Sequence, residues 1–175
     1  MPSPPAAPGF GQAFEALYTA GFHPLYTYLN RLTGDPALAA DVAQDAYLRL
    51  HVRGALPEHP TAWIVTVAHN LLHDITRKRR RQLRLLTADP IGVPAARPAP
   101  LPDAAVLADE HRRLVRAALE RLPVRDRQLL LLRHAGYSYR EIATAIDVKE
   151  GSVGTLLVRA TAAFRRSYEE RHASD

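Results

Sequence analysis

Proline placement sets the outer limits on how this chain can fold. Nine of its 14 prolines fall in two segments, at positions 2, 4, 5 and 8 and at 90, 94, 98, 100 and 102. A proline inside a helix removes a backbone donor and clashes with the preceding turn, so neither segment forms regular helix. The pattern predicts a disordered tail over 1–9, a helical domain over 10–86, an extended linker over 87–102 and a second helical domain over 103–171. The chain has 175 residues and is 47% apolar, enough for a small buried core in each domain.

Between these breaks the apolar residues recur at helical spacing, and the expected fold class is all-α. An opening helix from about Gly11 is expected to be disturbed at Gly21 and Pro24, to resume through Leu25 and to stop at Thr33-Gly34. Asp35 is a natural cap and Pro36 a natural first helical residue, so a second helix should run to about Arg53 with Gly54 past its end. On that helix Leu38, Val42, Ala46, Leu50, Ala39 and Tyr47 can pack inward, while Asp41, Gln44, Asp45 and Arg49 form a polar face. Pro60 opens a third helix reaching about Leu85, with Trp63, Ile64, Val67, Leu71 and Ile75 as its inward stripe. Six of the eight residues over 77–84 are basic. Such density repels itself unless anions neutralise it, which points to phosphates rather than to a solvated face. A net charge of +5 agrees with a polyanionic partner.

In the second domain, Ser138 stands three residues before Glu141, the spacing of a capping box and hence of a helix start. Ile142, Ala143 and Ile146 share a face; Asp147 and Val148 interrupt the period; Val153, Leu157, Ala160 and Phe164 restart it. Two short helices joined by a tight turn follow, the second carrying Ser152, Thr155 and Arg159 on its outer stripe. This is the pattern of a helix-turn-helix, although periodicity alone also fits an ordinary helical hairpin.

The segment LERLPVRDRQLLLLRHAGYSYREIA resembles region 4 of bacterial sigma factors, with Leu122-Pro123, Arg127, Leu132-Arg133, Gly136-Tyr137-Ser138 and Glu141-Ile142-Ala143 at the signature positions. ADVAQDAYLRL resembles the region 2 helix that grips core RNA polymerase, and TAWIVTVAHNLLHDITRKRRR the segment that melts and reads the minus-ten element. The chain is thereby identified as a member of the extracytoplasmic-function (ECF) sigma factors of the sigma-70 superfamily, which keep only a region 2 bundle and a region 4 helix-turn-helix. The resemblance implies a promoter-specificity subunit with core RNA polymerase and promoter DNA, double- and single-stranded, as partners, and an anti-sigma factor as a further partner class. It assigns Asp41, Gln44, Asp45 and Tyr47 to the polymerase. Trp63, Asn70, Asp74, Arg77, Arg79, Arg80 and Arg81 go to the minus-ten element. To the minus-thirty-five element we assign Ser152 and Thr155 for base edges and Arg159, Arg165 and Arg166 for phosphates. Two departures stand out. His69 occupies a place where arginine is usual, and Lys149, Gly154, Leu156 and Val158 replace residues with which the recognition helix commonly reads. The upstream element is therefore expected to be bound weakly.

Other classes find little support. The chain has no cysteine, which excludes disulfide staples, thiolate catalysis and cysteine-ligated zinc, and fits a reducing compartment, taken as the cytoplasm. His69 and His73, at i and i+4, could begin a zinc site, yet no third ligand has telling spacing, and no metal or cofactor is expected. No phosphate-cradling loop or nucleophile motif occurs, so no enzyme is expected, and no apolar run is long enough for a membrane span. The alternative is a homodimeric helix-turn-helix repressor or activator acting without polymerase, which leaves the basic run unexplained.

Overall fold

The computed structural model describes residues 9–86 and 103–172; the expected tail over 1–9, except Gly9, and the linker over 87–102 lie outside the described residues. Seven helices make up the described residues: α1 (Phe10–Thr33), α2 (Pro36–Arg53), α3 (Pro60–Leu86), α4 (Asp103–Glu120), α5 (Val124–His134), α6 (Tyr139–Ala145) and α7 (Glu150–His172). Helices α1, α2 and α3 pack on one another, and α4 to α7 form a second group.

Helix α1 is continuous, contrary to the expected break, with Pro24 inside it. The cost of an interior proline, about 3 kcal/mol, is offset by burial: Leu25, Tyr28 and Leu29, just beyond the proline, are almost completely enclosed. Gly21 does not interrupt the helix either. A Cβ there would run into the Tyr47 hydroxyl, so the glycine lets α2 come close. Asp35 caps α2 as expected, its carboxylate accepting from the Leu38 amide at 3.0 Å. Gly34 and Gly54 end α1 and α2 at φ 71° and 68°, the left-handed region that glycine enters without a Cβ clash.

In the second group the capping box forms in full. The Ser138 amide donates to Glu141 Oε2 at 2.8 Å and the Glu141 amide to Ser138 Oγ at 3.3 Å. Residues 146–149 turn the chain, with Asp147 at φ 55° and the Val148 amide bonded to the Ala143 carbonyl at 2.9 Å. Helix α7 then runs for 23 residues. Its first half packs on α5 and α6 through Val153 and Ala160, and its far end returns to α4, where buried Ser167 donates to the Ala118 carbonyl at 3.3 Å.

The two groups also touch each other, α6 lying against α3 and α5 against α1. Tyr28 of α1 and Tyr137 of the α5–α6 turn meet edge to face with ring centroids 6.5 Å apart. The guanidinium of Arg116, on α4, occupies the space beside Gly34 at the end of α1. A cation there complements the negative pole of that helix.

Candidate nucleic-acid and polymerase interface

On α2, Asp41, Gln44 and Asp45 are exposed on one face. Leu48 and Val52 continue that stripe and are more than half exposed, so the acidic patch runs into an apolar one. Tyr47 does not belong to it. It is 2% exposed, its hydroxyl donates to the Leu17 carbonyl at 3.4 Å, and burial pushes its pKa up to about 12. The expected polymerase contact by Tyr47 is therefore corrected: at i+2 from Asp45 the helix turns the side chain into the bundle, against Phe14, Tyr18 and Phe22.

Helix α3 divides along its length. Its first half is anchored by Ala62, Ile64, Val65, Ala68, Leu71 and Leu72, all buried. Trp63 is half-buried, with the Arg53 guanidinium 5.8 Å from its ring centre. Asn70, Asp74, Arg77 and Arg81 are exposed at i, i+4, i+7 and i+11, forming one stripe, and Arg79 is exposed beside it. Asp74 pairs with Arg77 at 3.5 Å across open solvent, a contact of little energetic weight. The side chain of Arg80 lies outside those described.

On α7, Thr155, Arg159 and Arg166 share an exposed stripe, with Arg165 exposed to one side and Ser152 half-buried at the helix start. Gly154 faces the ring of Tyr139, 3.7 Å from where its Cβ would stand. Val158 is 71% exposed on this helix, where Thr155, Arg159 and Thr161 are the outward polar groups in the middle turns.

His69 and His73 do not form a pair. His73 is exposed, whereas His69 turns inward and its Nε2 lies 2.6 Å from the Tyr28 hydroxyl. Burial lowers the His69 pKa to about 4, partly opposed by a hydrogen bond to the Ala145 backbone on α6. The imidazole is thus neutral, with one donor and one acceptor. Burial likewise raises the Tyr28 and Tyr137 hydroxyls far above the ordinary tyrosine value. Among the described residues no cluster of three His, Cys, Asp or Glu side chains could hold a metal ion, and no helix is long and apolar enough to cross a membrane. This enclosed Tyr28–His69 pair, inside the first group, was not expected from sequence. The available signal was that His69 lies between Val65 and Leu72 on a helical stripe that is otherwise apolar.

A bundle with an acidic face on α2, a helix rich in arginines along its far half and a helix-turn-helix are the parts of a DNA-directed transcription protein. Sigma-70 region 2 matches residues 17–82, and Sigma-70 region 4 matches residues 112–163. The chain is 33% identical over 170 residues to the ECF RNA polymerase sigma factor SigL of Mycobacterium tuberculosis, covering 94% of each protein. It is 31% identical over 173 residues to the probable RNA polymerase sigma factor RfaY of Xanthomonas campestris pv. campestris, covering 96% of this chain but 43% of that longer protein. In fold it resembles the sigma factor RpoE, solved in complex with the anti-sigma factor NepR from Bartonella quintana, with a TM-score of 0.66 and 19% identity over 90% of this chain and 98% of that one. The chain belongs to the ECF sigma factors, the promoter-recognition subunits of RNA polymerase. The repressor or activator alternative is not favoured, because both halves match sigma regions.

Proposed function

We propose that this sigma subunit docks on core RNA polymerase through Asp41, Gln44 and Asp45 of α2, opens and holds the minus-ten element with α3, and reads the minus-thirty-five element with α7. The observation that supports this division of labour is the placement of charge: the two carboxylates of α2, Asp41 and Asp45, share one exposed face, and arginines crowd the far half of α3. Carboxylates suit charge-assisted bonds to a basic protein surface but repel DNA, whereas the arginines suit phosphates. Within α3, Asn70 is placed to bond an unstacked base and the half-buried Trp63 to stack on one, while Arg77, Arg79, Arg80 and Arg81 track the backbone. On α7, Thr155 and Ser152 address base edges, and Arg159, Arg165 and Arg166 fix the helix on phosphates. The protein is a regulatory subunit that leaves bond making to the polymerase, and it works in the cytoplasm, where that enzyme is. Core polymerase supplemented with the purified chain should initiate at promoters selected from a randomised library. Binding to a palindromic site as a dimer, with no polymerase-dependent initiation, would overturn the reading.

A further inference from the structure

The outward side of α7 carries an apolar side chain that the protein leaves in water. Val158 is 71% exposed, more than any other large hydrophobic residue among the described residues. The helix buries Val153, Ala160 and Ser167 on its inner side. At about 100° per residue, Gly151, Thr155, Val158 and Ala162 fall together on the opposite side, and all four are exposed. Neither packing nor propensity accounts for a valine there. At that exposure it adds little to the core, and its β-branch makes it a poorer helix former than alanine.

With α7 in a major groove, as proposed above, its outermost side chains meet base edges and those to either side meet the backbone. Arg159 and Arg166 stand on one flank of that outer face and Arg165 on the other, so cations bracket Thr155 and Val158. Among the groups that base pairs present in the major groove, the thymine 5-methyl is the apolar one, and the rest are hydrogen-bond donors and acceptors. Set against guanine O6 and N7, adenine N6 or cytosine N4, a valine excludes water and leaves those groups without a partner. Set against a thymine methyl, it buries apolar surface on both sides. Its one preferred χ1 rotamer in a helix presents the two methyl groups with little entropy left to lose.

We propose that Val158 is a specificity-determining residue of α7 and selects a thymine in the minus-thirty-five element by contact with its 5-methyl group. This rests on the assignment of α7 to that element. Selection works by methyl contact and by exclusion of polar base edges, not by a hydrogen bond. One of the four departures from the usual recognition helix thereby becomes a change of preferred base rather than a lost contact.

Deoxyuridine pairs as thymine does and differs from it only in lacking the 5-methyl group, so it isolates the contact. Holoenzyme assembled from core polymerase and the full chain first selects promoters from a randomised library. A selected promoter is then rebuilt with deoxyuridine at each thymine of its minus-thirty-five element in turn, on either strand, and the holoenzyme Kd is measured for each duplex. At one position the replacement should weaken wild-type binding roughly four-fold, the worth of one buried methyl group. With Val158→Ala the thymine and deoxyuridine duplexes should bind alike at that position. Each comparison sets two DNAs against the same protein, so any uniform loss of binding by the variant cancels, and the replaced side chain is an exposed one. Selected elements that contain no thymine overturn the proposal, as does wild-type binding that deoxyuridine leaves unchanged at every position. A four-fold ratio that survives in Val158→Ala also overturns it and hands the methyl contact to Thr155. If the chain instead selects a palindrome as a dimer without polymerase, the functional reading fails, and the same comparison on that palindrome still decides whether Val158 reads a thymine methyl.

Discussion

Two glycine-to-alanine substitutions in helix interiors should have opposite effects on stability. At Gly154 a Cβ would stand 3.7 Å from the Tyr139 ring, an ordinary van der Waals contact. Alanine there removes the entropic cost of glycine in a helix, about 0.5–1 kcal/mol, and adds a methyl contact. For a chain of this length each kcal/mol shifts the melting midpoint by about 2–4 °C, so Gly154→Ala should raise it by roughly 1–4 °C. At Gly21 the same propensity gain is available, but the new Cβ would collide with the Tyr47 hydroxyl. That hydroxyl cannot simply swing away, because Tyr47 is 2% exposed and donates to the Leu17 carbonyl. Overpacking of this kind costs about 1–3 kcal/mol, more than the propensity gain, so Gly21→Ala should lower the midpoint by several degrees at the upper end of that range. Differential scanning calorimetry on both variants checks the pair. A stabilised Gly21→Ala would mean that α1 and α2 do not approach as closely as described. A destabilised Gly154→Ala would mean that the Tyr139 ring has no room for a methyl group.

Replacing Asp45 by arginine should weaken capture by core polymerase at least ten-fold with unchanged helicity; full affinity in a pull-down titration would remove α2 from the docking surface. Asn70→Ala should reduce strand opening more than closed-complex binding, and normal permanganate reactivity at the minus-ten element in that variant would refute the base contact. Replacing Arg79 or Arg81 with glutamine should lower the salt slope of DNA binding by about 0.9 for each phosphate that is no longer neutralised; an unchanged slope would take that residue off the DNA. The His69 pKa falls from 6.5 in the unfolded chain to about 4 in the folded one, so the unfolded chain binds the extra proton between those values. Its contribution to stability is therefore intact above about pH 6.5 and declines as the pH falls toward 4, by a total on the order of 3 kcal/mol. Urea midpoints across that window should fall more steeply in wild type than in His69→Gln, and parallel falls would show that His69 is not the titrating group.

Local rules carried most of the helix map. Asp35-Pro36, Gly54 and the Ser138-Glu141 box act within one turn of chain, and each does in three dimensions what its neighbours in sequence require. Pro24 and Gly21 misled because their meaning depends on residues elsewhere, Tyr47 above all. Tyr47 was assigned by resemblance, and the fold places it in the core. Aromatic side chains serve equally well as contact residues and as core, and only the packing of Phe14, Tyr18 and Phe22 decides between them. The exposed arginines and carboxylates were legible because charge left in water declares a surface. The Tyr28–His69 bond was not, since its partners are 41 positions apart and neither side chain announces the other.

Helix α7 is longer than a groove-reading element requires, and that length has a mechanical consequence. At 1.5 Å per residue its 23 residues make a rod about 34 Å long. The outward residues Thr155 and Arg159 sit in its leading half, while its trailing half is pinned to α4 through Ser167 and the Tyr168–His111 contact at 3.1 Å, and to Arg121, just past α4, through Glu170 at 3.1 Å. With its leading half resting on α5 and α6 and its trailing half on α4, the rod is held along its whole length. On the proposed reading of α7, a tilt imposed by DNA on its leading turns is shared by α5, α6 and α4 together, so the second group moves as one piece.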